Sequence, residues 1–274
     1  MKFNTPGQIE FFFRKELGDI NPYMCLVDSA VKEIKKKAIL DIDIINKNNG
    51  HPNIHLNHLN LDNLSYLVSM SHIAYINSKA ETACTFITNL KEINKAHKNA
   101  DIGDFLRKTI FVVHRSKHKL EELKSTKNYD FDTDIKEEAL KEYMPEEEFQ
   151  VIDYYRKLRN STFHNNKNTI SLSEYFNESI LESIENKFGY KPNTIQDLNE
   201  NDIYILSLAW QNTIKSICKS CINLYDSIIP TLEKKYKNVN KERAINGIRQ
   251  SLKQEYLLTE DKINDIISTL NIAD

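Results

Sequence analysis

Glycine and proline are scarce, six of each in 274 residues. The glycines stand singly, so the chain has no Gly-rich loop to cradle a phosphate. Runs that alternate apolar and polar residues are few, which argues against sheet. The four cysteines, Cys25, Cys84, Cys218 and Cys221, are too few for a disulfide framework in a chain of this length. Cys218 and Cys221 make a lone CxxC inside an apolar helical pattern and read as buried free thiols. No window approaches 18 apolar residues, and the N-terminal stretch lacks the apolar region of an export signal. A cytoplasmic protein with reduced thiols and no membrane contact is expected. Neither sign of charge dominates: 37 Lys and Arg oppose 39 Asp and Glu, for a net charge of -2. No global basic field draws the chain to nucleic acid, so a polyanion site must be a local patch.

What is present is helical spacing. Charged residues make up 28% and hydrophobic ones 40%, the balance of a chain that buries a core. Leu64, Leu67, Val68, Ala74, Tyr75, Phe86, Leu90 and Ile93 predict one long amphipathic helix from Leu61 to about Ala100. Asp104 is placed to cap a helix running from Phe105 to about Leu123. Pro145 followed by three glutamates has the composition of a first turn, opening a helix that reaches about Phe163. Further helices are expected over Asp19–Ile45, Ser171–Lys187, Asp202–Ile229 (stopped by Pro230), Lys241–Tyr256 and Glu260–Leu270. The reading is all-α: a helical bundle with long central helices at 61–230, a helical extension at 1–60 and another at 231–274, or all three as one domain.

One stretch concentrates chemistry. Arg156-Lys-Leu-Arg159-Asn160-Ser-Thr-Phe-His164-Asn-Asn166 gathers charge, amides and a histidine at a helix end. At about 100° per residue, Val151, Tyr154, Tyr155, Leu158 and Thr162 share a core-facing seam. Arg156 and Asn160 point away from it and Arg159 flanks it. On a continuous helix the Arg159 and His164 side chains diverge by about 140°. One intact helix does not aim both at a single phosphate. Either the helix ends near Phe163, or two copies of the chain pair so that both motifs surround one site. RNA cleavage without a metal uses the 2′-OH as nucleophile, with a base, an acid and a cation around the phosphate. Histidine titrates in the right range for both proton transfers, and arginine offers phosphate a planar donor fork. One motif supplies one histidine; a dimer supplies two.

Arg159-Asn160-Ser-Thr-Phe-His164 resembles the mark of the HEPN superfamily (higher eukaryotes and prokaryotes nucleotide-binding domains), an Arg, a polar residue, three to five others and a His. The resemblance covers the motif and, loosely, the helices over 61–230. It implies an HEPN-like helical bundle that dimerises to build a composite site, and a metal-independent endoribonuclease needing no cofactor. It further implies that Arg159 binds the scissile phosphate, His164 handles protons and Asn160 orients them. Family members serve in toxin–antitoxin, abortive-infection and CRISPR systems, so antiphage defence and an antitoxin or sensor partner are implied as types. One toxin branch carries a Tyr two residues after the His, where this chain has Asn166. Arg156, Lys157 and Lys167 flank the motif as candidate RNA phosphate contacts. The alternative is a catalytically inactive helical dimer that binds RNA, a nucleotide or a protein through the same face.

Other signals read as structure. Arg107 and His114 repeat the Arg–His spacing loosely, but the residues between are mostly apolar and predict a core helix with His114 at its edge. His51, His55 and His58 read as a polar loop rather than metal ligands. Asp41/Asp43 and Asp130/Asp132/Asp134 lack the Gly and terminal Glu of a calcium loop. Lys32–Lys37 reads as a solvated helix face.

Overall fold

The computed structural model describes residues 3–36, 63–91, 93, 102–118, 137–163, 171–221 and 225–270. Among them the chain is helical throughout, without a strand. The helices are α1 (Pro6–Lys36), α2 (Leu64–Thr88), α3 (Phe105–Lys117), α4 (Glu137–Tyr143), α5 (Glu146–Phe163), α6 (Leu172–Tyr175), α7 (Glu178–Phe188), α8 (Glu200–Ser220), α9 (Tyr225–Tyr236), α10 (Lys241–Gln254) and α11 (Glu260–Thr269). They group into two compact units. The first takes Met1–Lys15, Ser78–Glu148 and Trp210–Asp274; the second takes Glu16–Asn77 and Phe149–Ala209. The division falls inside α1, α2, α5 and α8, so each of these long helices contributes to both units.

Local chemistry sets several helix ends. The Asp104 carboxylate accepts from Arg107 N at 2.8 Å and opens α3 as expected. Asn177 caps α7 through Ile180 N at 2.9 Å, and Gly189 closes it at φ 84°. Glu146, Glu147 and Glu148 fill the first turn of α5, where the helix dipole favours acids.

Five expected helices have different bounds. α1 starts at Pro6, not near Asp19, because Ile9, Phe13 and Leu17 extend its buried stripe toward the N-terminus. Its expected continuation to Ile45 lies outside the described residues. α2 ends at Thr88, far short of Ala100. Thr82, Thr85 and Thr88 turn their hydroxyls onto preceding carbonyls, and the chain passes into tight turns that bury Leu90 and Ile93. α3 stops at Lys117, with His118 N–H bonded to His114 O, and 119–123 lie outside the described residues. The expected helix over 171–187 is two, α6 and α7. Phe176 goes extended between them, burying its ring 5.1 Å from that of Tyr154. Finally, Pro230 sits inside α9 instead of ending a helix that itself ends at Ser220. Its ring is exposed, while Ile228 and Leu232 anchor the helix in a cluster with Ile248, Leu252, Tyr256, Ile263 and Ile266. That burial offsets the hydrogen bond the proline cannot make.

Segments from both ends of the chain meet in the first unit. Gly7 N–H donates to Glu255 O at 2.8 Å, and a Cβ on Gly7 would lie 2.0 Å from Gln254 O.

The second unit is organised by a buried carboxylate. Asp202, in the first turn of α8, is fully buried. It accepts from the Tyr155 hydroxyl at 2.6 Å, from Asn193 N and Asn199 N at 2.8 Å each, and from Asn193 Nδ2 at 2.9 Å. The Tyr154 hydroxyl donates to Asn193 O at 2.7 Å. The loop between α7 and α8 is thereby tied to both α5 and α8. Burial pushes the Asp202 carboxyl above its usual range, against the pull of its hydrogen bonds.

Asp202→Ala orphans a buried hydroxyl and two backbone N–H groups, so the expected loss is roughly 3–5 kcal/mol. Tyr155→Phe leaves the other donors in place and is expected to lose only about 1–2 kcal/mol. Urea denaturation measures both; an Asp202→Ala variant as stable as wild type would show that the carboxylate does not hold the unit together.

Candidate functional site

α5 presents its expected seam. Val151, Tyr154, Tyr155 and Leu158 are fully buried. Thr162 is half-buried; its hydroxyl donates to Leu158 O at 3.0 Å and receives the Tyr66 hydroxyl at 2.9 Å. Ser161 Oγ bonds the same Leu158 carbonyl at 2.8 Å. Both hydroxyls thus bond back onto one carbonyl of the preceding turn, as serine and threonine do within helices.

Arg159 is half-buried in that last turn, and both its Nε and its Nη2 lie 3.2 Å from Asn160 Oδ1. The carboxamide occupies two of the five N–H groups of the guanidinium and orients its fork. Arg156 precedes Arg159 by three positions, about 60° around the helix, so Arg156, Arg159 and Asn160 share one side of the last two turns. Lys157 does not join Arg159. It lies about 160° from Arg159, pairs with Asp153 Oδ2 at 2.8 Å and sits 4.7 Å from the centre of the Tyr175 ring. The Tyr175 hydroxyl donates to the same Asp153 oxygen. Lys157 is therefore engaged in a local Asp153–Tyr175 cluster. His164 and Lys167, the other expected site residues, lie outside the described residues.

Tyr66 was not foreseen at this site. Besides bonding Thr162, it lines a cavity of about 430 Å³ with Asn63, Ile195 and Gln196. No local signal marks it, since 96 positions separate it from Thr162.

The second Arg–His spacing behaves as a core helix. Thr109 through Val113 are buried on α3. His114 Nδ1 lies 3.2 Å from the Tyr143 hydroxyl, and its ring is 4.5 Å from that of His118. Burial, then the neighbouring His118, lowers its pKa. Lys117 pairs with Glu142 and lies over the Tyr143 ring. Cys218 and Cys221 are buried free thiols, and burial pushes the Cys218 thiol up. In the expected basic face, Lys32 bridges Asp28 at 2.9 Å and Glu200 at 2.7 Å, so it is not simply solvated. His51, His55, His58 and the paired aspartates lie outside the described residues. Among the described residues no three His, Cys, Asp or Glu side chains gather as a metal would need, and no helix is long and apolar enough to cross a membrane.

Comparison with protein-family models, curated proteins and solved structures finds no match to this chain.

Two histidines set a pH dependence. Burial lowers the pKa of His72, whose Nδ1 has no hydrogen-bond partner among the described residues, and that of His114. The unfolded chain therefore takes up these protons first, at about pH 6.5. Their contribution is present above about pH 6.5 and is lost as pH falls through the folded values. The urea midpoint is expected to drop between about pH 7.5 and 5.5, and a His72→Gln/His114→Gln variant should show a flatter profile. Equal slopes would remove these histidines from the account.

Proposed function

We propose that this chain is a metal-independent endoribonuclease of HEPN type, working as a homodimer with a composite site. The observation that carries the reading is the Arg159 guanidinium held by Asn160 in the last turn of α5, with Arg156 on the same side. A fork oriented by its neighbour suits the non-bridging oxygens of a phosphodiester. The apolar face that α1 exposes at Tyr23, Leu26 and Val27 is of the kind that pairing with a second copy covers.

In this mechanism the 2′-OH gives its proton to a base as the 2′-oxygen bonds to phosphorus. The bond from phosphorus to the 5′-oxygen breaks, and an acid protonates the leaving oxygen. His164 from one copy and its counterpart from the other serve these two transfers. Arg159 balances the charge that builds on the phosphorane, and Asn160 keeps the fork in register. The products are a 2′,3′-cyclic phosphate and a 5′-OH.

The test is labelled single-stranded RNA incubated in EDTA with wild type, His164→Ala and Arg159→Ala. Wild type is expected to cleave, and each variant to lose about 10²–10⁴-fold in rate. A 3′-OH product would overturn the mechanism. RNA retained on a filter but left intact by wild type would instead favour a helical module that binds without cleaving.

A further inference from the structure

The cavity beside the end of α5 has the makings of a base-recognition pocket. Its walls come from two places. Asn63 and Tyr66 stand at the start of α2. Ile195 and Gln196 form the tip of a β-turn. That turn is locked twice: Asp197 N–H donates to Thr194 O at 3.0 Å, and the Thr194 hydroxyl donates to Asp197 Oδ2 at 2.6 Å. The loop that carries it is rooted on both sides through Asp202, by Asn193 ahead of the turn and Asn199 after it. The wall is thus set before any ligand arrives, which lowers the ordering cost of binding.

The lining is chemically specific. Tyr66 and Ile195 offer flat or apolar surface; Asn63 and Gln196 each bring a carboxamide, one acceptor beside two donors. Apolar surface plus adjacent donor and acceptor is the complement of a single unstacked nucleobase, read along its edge. A carboxamide matches adenine best, accepting from its amino group and donating to a ring nitrogen. The space, about 430 Å³ and open on its solvent side with Asn63 and Gln196 exposed, is large enough for one base. Tyr66 links this cavity to the motif helix, since its hydroxyl bonds Thr162 one turn beyond Arg159.

We infer that Asn63, Tyr66, Ile195 and Gln196 form a subsite for one unpaired nucleobase, with adenine preferred, in RNA whose phosphate lies at Arg159. The subsite rests on the ribonuclease reading for its role in cleavage, but base binding itself does not require cleavage.

The probes are ten-nucleotide single-stranded RNAs of uridine carrying one central adenine, guanine, cytosine or abasic site. Binding by fluorescence anisotropy and cleavage by gel are measured on the same full-length protein. Wild type is expected to bind the adenine probe at least about tenfold more tightly than the abasic one, the effect of one good carboxamide contact. An Asn63→Ala/Gln196→Ala variant should lose that preference yet keep its salt-dependent affinity for the uridine background. Because both substituted side chains are exposed, the fold should survive, and circular dichroism checks it. Tyr66→Phe keeps the ring and should keep the preference. Base preference in binding with no cleavage would sink the ribonuclease reading and leave the subsite standing. Cleavage with the same base preference in wild type and double variant would sink the subsite and leave the ribonuclease. Equal affinity of wild type for adenine and abasic probes would overturn the subsite outright.

Discussion

The second unit depends on a carboxylate that the fold buries. Asp202 is fully buried, and the groups that surround it are a phenol from α5 and, from the loop between α7 and α8, a side-chain amide and two backbone N–H groups. Each donor alone is worth little net stability, because water would satisfy it in the unfolded chain. Together they make an arrangement in which losing one partner strands the rest. Through Tyr155 the carboxylate sets the seam of α5, and through Asn193 and Asn199 it sets the loop whose turn carries Ile195 and Gln196. The helix that carries Arg159 and the loop whose turn lines the cavity are both tied to this buried anion.

The two Arg–His spacings stand in different surroundings. Arg159 lies where a helix ends, and its immediate neighbour is an amide that orients it without neutralising it. His114 lies on the rim of a core helix, against a phenol and a second imidazole, with Lys117 and Glu142 already paired beside it. Burial holds His114 neutral to lower pH than a free imidazole.

Much of the helical framework could be read from periodicity and caps. Asp104 and the Glu146–Glu148 turn opened helices where expected, and the seam from Val151 to Leu158 faces the core. The differences have identifiable causes. Thr82, Thr85 and Thr88 are tolerable helix residues by propensity, yet they coincide with the end of α2; Phe176 breaks a periodic pattern to reach Tyr154; Pro230 survives inside α9 because Ile228 and Leu232 are buried. For Phe176 and Pro230 a contact distant in sequence outweighed a local preference of about 1 kcal/mol or less, or about 3 for proline; for the threonines the competing bonds are local ones, onto carbonyls three or four residues back.

Arg156, Arg159 and Asn160 were legible at the site because they are close in sequence and helix geometry alone puts them on one side. The separation of Lys157 from Arg159 follows from the same geometry; its capture by Asp153 and Tyr175 does not, since Tyr175 comes from another helix. Tyr66, Ile195 and Gln196 carried no mark at all. Local sequence determined that this chain is helical, where most of its caps fall, and which side chains the end of α5 presents, because these depend on neighbours within about one turn. Tertiary structure decided which distant side chains meet that end, because buried donors must find acceptors wherever the folded chain brings them.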